Sequence, residues 1–200
     1  EGLGGIDVHV ANDGPSPLRA RLRVALYQEF QHLIDEAVLD VELEAHGGLT
    51  RNVEELLGRF VDVSWAYRFG PPAQDLIAVT LETPGGELLS QAFRFPAGRP
   101  LTRESASDLG LDAVIEPSAA GPRLHVTSRR FAYGVRATVP GYTAADDAFG
   151  VAPGGERRVA LRAVGAATPV DAAATLRALN LSGAVAVRVD ADRGGSLRVG

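Results

Sequence analysis

Apolar and polar residues alternate with period two along most of the chain, the signature of strands with one buried face. In residues 5–12, GIDVHVAN, Ile6, Val8 and Val10 alternate with Asp7 and His9, and AsnAspGly at 12–14 closes the run with turn chemistry. In 18–27, LRARLRVALY, Leu18, Ala20, Leu22, Val24 and Leu26 form one face and Arg19, Arg21 and Arg23 the other. The next run, VLDVELE at 38–44, sets Leu39, Val41 and Leu43 against Asp40, Glu42 and Glu44. Paired antiparallel, these two runs face an arginine ladder with an acidic ladder, at about 0.2–1 kcal/mol per exposed pair. NVEELLG at 52–58 predicts one short helix, with Asn52 and Glu55 at capping-box spacing and Gly58 as the stop. DLIAVTLE and ELLSQAFRF read as a hairpin closed by ThrProGlyGly at 83–86.

Alternation stops at 96–108, PAGRPLTRESASD, where Pro, Gly, Ser and charge gather. A domain boundary is expected there, giving a sandwich over 1–98, a linker over 99–108 and a second sandwich over 109–200. Alternation resumes in LDAVIE, RLHVTS, FAYGVRATV, ERRVALRAV, TLRALNL and VAVRVD, with ProGly at 140–141 and AlaProGlyGly at 152–155 as breaks. TPVDAAATLRAL at 168–179 also suits a helix start, but a loop into a strand is preferred. The fold class expected is all-β: two immunoglobulin-like antiparallel β-sandwich domains in tandem.

The richest single stretch is FVDVSWAYRFGPPAQD at 60–75, which holds the only Trp. Val61, Val63, Trp65, Tyr67 and Phe69 are all odd-numbered and Asp62, Ser64 and Arg68 even. A strand over 61–69 with Trp65 at its centre is therefore expected, ended by GlyProPro at 70–72. A row flanked by Val on its own face reads as core rather than as a sugar platform. Trp65, Tyr67 and Phe69, with Phe131 and Tyr133 in the second half, are the expected core aromatics. Arg68 and Asp75 flank the stiff turn and either pair with each other or meet another domain.

Composition removes several classes of function. A net charge of −5 gives no electrostatic reason for a nucleic-acid partner, and no apolar run approaches the length of a membrane helix. All 20 basic residues are Arg, which with abundant Ala, Gly and Val reads as a GC-rich coding genome. Zero Cys excludes disulfides and thiolate chemistry. The first ten residues carry no signal-peptide pattern, so a soluble chain is expected, in the bacterial cytoplasm in preference to an exported one.

Candidate chemistry is sparse, and no cofactor is expected. His9, His32, His46 and His125 lie far apart, no GxSxG elbow occurs, and GlyLeuGlyGly at 2–5 lacks the strand and helix of a phosphate loop. AspAlaAsp at 190–192 imitates the start of a calcium loop but has Gly194 at the fifth position, so a turn is preferred. AspAsp at 146–147 reads as solvated or capping.

EGLGGIDVHVANDGP, LLGRFVDVSWAYRFGPPAQDLIAVTL, QAFRFPAGRP, RRFAYGVRATVPGY with DDAFGVAPGGERRVAL, and LRALN resemble, in this order, the C-terminal part of bacterial β-mannosidases of glycoside hydrolase family two. The resemblance runs from residue 1 to about 181, with AYRFGPP and PGGERRV its more specific pieces. It implies a non-catalytic accessory module whose partner is the catalytic barrel of the same polypeptide. It also implies a parent that removes terminal β-linked mannose with retention, which needs two carboxylates about 5–5.5 Å apart. The family's acid/base Glu follows an Asn. Here Asn12, Asn52 and Asn180 are followed by Asp, Val and Leu, so no catalytic residue carries over. The alternatives are a carbohydrate-binding module with an aromatic platform and a free-standing immunoglobulin-like interaction module.

Overall fold

The structure is a computed structural model that describes residues 5–66, 70–165 and 173–190. Its chain divides into two units, Glu1–Arg99 and Pro100–Gly200. Both are nearly all β, and each is built from largely antiparallel sheets around its own apolar core.

In the first unit, β2 (Leu18–Gln28) lies at the heart of a four-stranded sheet ordered β3-β2-β5-β6, with β3 over His32–Leu43, β5 over Leu76–Glu82 and β6 over Leu88–Arg94. The register places Arg19 opposite Glu42 and Arg21 opposite Asp40, so the two charged ladders meet as the alternation predicts. Arg23 stands opposite Val38 and reaches diagonally to Glu36 at 2.6 Å. The other face of β2 supplies Leu22, Val24 and Leu26 to the core, all almost fully buried.

That core is closed from the other side by β1 (Asp7–Ala11), whose one partner among the described strands is β4 (Gly48–Asn52), and by α1 (Val53–Leu57). Asn52 caps α1 by accepting from the Glu54 and Glu55 N–H groups, and Gly58 ends it at φ 67°, as the sequence predicts. Asn12 is the polar tie of this unit. Its amide donates to the Ser16 and Glu44 carbonyls at 2.9 Å each, and its carbonyl accepts from Gly14 N–H.

One expectation fails. The residues from 61 to 66 form no strand: Val63 and Ser64 lie in a turn, and Trp65 has a φ of 54°. The physical reason is Asp62. Its carbonyl takes the Trp65 N–H (3.2 Å) and its carboxylate the Ala66 N–H (2.8 Å), donors that a ladder would need. Val63 is still fully buried, but from a turn. Residues 67–69 lie outside the described residues.

The second unit pairs a five-stranded sheet ordered β10-β12-β8-β7-β15 with a four-stranded sheet ordered β11-β9-β13-β14. The strands are β7 (Asp112–Glu116), β8 (Arg123–Ser128), β9 (Ala132–Thr138), β10 (Tyr142–Ala144), β11 (Phe149–Val151), β12 (Gly155–Ala163), β13 (Thr175–Arg177), β14 (Val185–Ala186) and β15 (Arg188–Val189). All pairings are antiparallel except β15 with β7. Gly134, inside β9, has φ 60°, a left-handed conformation that strains any residue with a Cβ.

The stretch expected as a linker is built into this unit from Glu104 onward. Glu104 bridges to Leu181, its carboxylate lies 2.8 Å from Arg130, and Ser105 caps a short helix α2 (Ala106–Leu109) that the alternation does not signal. The segment reads as a linker because its contacts are polar and long-range in sequence.

Asn180 joins three parts of the unit. Its amide donates to the Phe131 carbonyl (2.8 Å), its side-chain oxygen accepts from Tyr133 N–H (2.8 Å), and its own carbonyl accepts from Glu104 N–H (3.0 Å). Asn180→Ala strands buried backbone groups at Phe131 and Tyr133, so it is expected to cost the second unit about 2–4 kcal/mol in urea unfolding. An effect under about 0.5 kcal/mol, the range of ordinary surface changes, contradicts this role.

Candidate functional site

After α1 the chain enters the irregular stretch 59–75. Arg59 turns back to Asp35 at 2.5 Å, and Phe60 then stands 76% exposed. The turn centred on Asp62 brings Trp65 round so that its indole Nε1–H donates to the Gly70 carbonyl at 3.0 Å. Gln74, wholly buried, donates its amide to the Asp62 carbonyl at 2.7 Å and ties the far end of the stretch to the turn. Between them lies an open hollow of about 450 Å³ lined by Phe60, Val61, Trp65, Pro71 and Pro72 among others. Its volume is within the usual range for small-molecule sites.

The hollow offers aromatic and proline faces and little reactive chemistry. Among the described residues its only acid is Asp62, whose carboxylate is already engaged by the Ala66 N–H. The lining of the hollow is mostly aromatic, aliphatic and proline surface.

The sequence candidates divide in two. Trp65 is half-buried at the rim of the hollow and away from any strand, while Tyr67, Arg68 and Phe69 lie outside the described residues. Asp75 secures the fold: its N–H donates to the Tyr27 carbonyl and its carboxylate accepts from Phe30 N–H, each at 3.0 Å. Glu29 and Phe30 form the β2–β3 turn, both with positive φ (56° and 53°), a conformation that favours Gly or Asn. Asp75 thus holds a strained turn closed. Phe131 is fully buried and stacks with Tyr133, ring centroids 6.1 Å apart. Phe60 and Gln74 are the residues the sequence reading passed over. Phe60 precedes the alternating row, and a buried Gln carries no periodic signal.

The remaining polar candidates end in local pairs. His9 meets Thr50 at 2.9 Å, and His125 stands between Glu116 (3.2 Å) and Glu156 (2.8 Å), across three neighbouring strands. Asp146 pairs with Arg157 and Asp147 with Arg136. Of the calcium-like run, 191 and 192 lie outside the described residues. Among the described residues no group of three His, Asp or Glu could hold a metal ion. No helix among them is long and apolar enough to cross a membrane.

Two groups on β2 have displaced proton affinities. Burial works against the charged Arg23, but the hydrogen bond to Glu36 together with the charges of Tyr27, Glu36 and Glu82 outweighs it and raises the guanidinium above its usual value. Burial raises the Tyr27 phenol, with Glu36 adding to the effect and Arg23 opposing it.

No family model matches the chain, and no curated protein matches it in sequence. Solved structures do match. A β-D-mannosidase from Dictyoglomus thermophilum superposes with a TM-score of 0.56 at 15% identity, covering 90% of this chain and 21% of that one. An exo-chitosanase from Amycolatopsis orientalis superposes at 0.55 and 14%, covering 90% of this chain and 25% of that one. The chain therefore spans about a quarter or less of the length of these enzymes, and at such identities the likeness is one of fold.

Two outcomes are expected. Gln74→Ala frees the stretch from the Asp62 carbonyl, so it should raise acrylamide quenching of Trp65 and cost about 1–3 kcal/mol, whereas exposed Phe60→Ala should cost under about 0.5 kcal/mol. Because the folded Tyr27 pKa lies above the unfolded value of 10.0, its neutral form is favoured in the fold. Its contribution is fully present below pH 10.0 and is lost as pH rises through the folded pKa, so Tyr27→Phe should flatten alkaline destabilisation in pH-dependent unfolding.

Proposed function

We propose that these 200 residues are a non-catalytic accessory part of a glycoside hydrolase resembling the β-mannosidases of family two, two sandwiches that sit beside a catalytic barrel in the same polypeptide. The observation that carries the reading is coverage: nine-tenths of this chain superposes on no more than a quarter of two glycosidase chains. The ordered run of motifs from residue 1 to about 181 supports it independently. On this reading the parent removes terminal β-linked mannose, and its specificity resides in the barrel.

The immunoglobulin-like reading is supported best in the second unit. There β8 pairs with β12 and β7 in one sheet, and β9 pairs with β13, followed by β14, in the other, matching the two-sheet division of that fold.

A second reading, a carbohydrate-binding module, gains from one observation. Trp65 lies at the rim of an open hollow beside exposed Phe60, so burial in a core strand no longer argues against a sugar-stacking role.

Incubated with an aryl β-mannoside, the chain is expected to release no phenol above the buffer rate, and turnover at enzyme-like rates would overturn the accessory reading. Trp65 fluorescence separates the two readings. Emission unchanged by manno-oligosaccharides is expected for an accessory domain, and a saturable shift transfers the weight to sugar binding.

A further inference from the structure

The first unit covers four strands with two. Inward-facing positions of β5 and β6 lie opposite each other in pairs, Val79 with Ala92 and Leu81 with Ser90. Leu81 is buried in the core, but Ser90, Ala92 and Arg94 on β6 are all exposed. The β1–β4 sheet stops short of them. Its missing width leaves a groove of about 520 Å³, with residues 6–11 along one side, residues 90–94 along the other, and Leu22, Ile77, Val79 and Leu81 among its lining.

The β1 side of this groove is a free strand edge. Val53 N–H donates to the Ile6 carbonyl and Asn12 N–H to the Gly47 carbonyl, so the even-numbered residues of β1 spend their backbone groups on β4. The N–H and C=O groups of Asp7, His9 and Ala11 then point the opposite way, and no described strand pairs with that edge. Six residues of edge at about 3.3 Å each give a slot about 20 Å long, the reach of one ordinary strand. Immediately before β1 the sequence reads Gly4-Gly5, and Gly5 has φ 78°, where a Cβ would collide with the Glu54 carboxylate. A left-handed glycine at this point suits a reversal of the chain ahead of β1.

We propose that the groove seats one further strand, supplied by the polypeptide preceding Glu1 in the parent protein and running antiparallel to β1. The source of that strand rests on the proposed reading that these residues belong to a longer chain; the groove and the free edge do not. The added strand takes its main-chain hydrogen bonds from Asp7, His9 and Ala11 and lays apolar side chains over Val79 and Leu81. The short side chains of Ser90 and Ala92 leave it room.

The test extends the 200-residue chain ahead of Glu1 with six alternating Val and Thr residues and follows amide exchange in β1. A second extension of the same length carries three prolines. The first extension should slow exchange at Asp7, His9 and Ala11 by at least about 10-fold, while Val8 and Val10, already bonded to β4, respond less. The proline extension should leave exchange unchanged. His9→Pro removes the central donor without touching the β4 ladder, so it should abolish most of the gain. Equal exchange with and without the extension overturns the proposal. So does concentration-dependent protection in the unextended chain, because the edge then pairs with a second copy. The readout involves neither sugar nor catalysis, so its failure leaves the glycosidase reading standing, and glycoside turnover by the chain leaves the groove standing.

Discussion

A β-sheet with one apolar face has to cover that face, and the cover must match the sheet in width. In the first unit β2 supplies Leu22, Val24 and Leu26, and β5 supplies Ile77 and Leu81, to a core that, among the described residues, two strands, one short helix and the turn at Val63 close from above. The centre of the sheet is buried, and its β6 margin is exposed. At roughly 25 cal/mol per Å² of apolar surface, an uncovered margin of this kind is a standing incentive for another strand to dock. Among the described residues the second unit sets five strands against four.

Polar side chains do the joining where the ladders end. Asn12 gathers Gly14, Ser16 and Glu44 in the first unit, and Asn180 gathers Phe131 and Tyr133 in the second while its backbone takes Glu104. Asp62, Gln74 and Asp75 play the same part in the irregular stretch, satisfying backbone groups that no strand reaches. These residues look like candidates for chemistry in a sequence. Their hydrogen bonds serve the fold.

What the sequence revealed depended on whether the signal was local. The period-two rows of β2 and β3 fixed even their cross-strand charge pairs, and Asn52 with Gly58 marked both ends of α1, because alternation and capping act within a few residues. The row from Val61 to Phe69 misled because an odd-numbered apolar pattern does not reveal that Asp62 will capture the donors a ladder needs. β4 went unseen because GLTRN offers Leu49 as its sole large apolar residue, and α2 because Ser105 and Gly110 bracket only one turn. Neither the hollow at Trp65 nor the groove beside β1 was legible. Both arise from residues distant in sequence, and the groove is defined by a strand edge with which no described strand pairs.

The structure of the parent polypeptide, with the residues that precede Glu1 in place, is the most direct single measurement. An additional strand hydrogen-bonded to Asp7, His9 and Ala11 and lying over Ser90 and Ala92, in a chain whose remaining bulk is a catalytic barrel, is the predicted result. A β1 edge still open, or a polypeptide in which these two sandwiches stand without any catalytic domain, would contradict it.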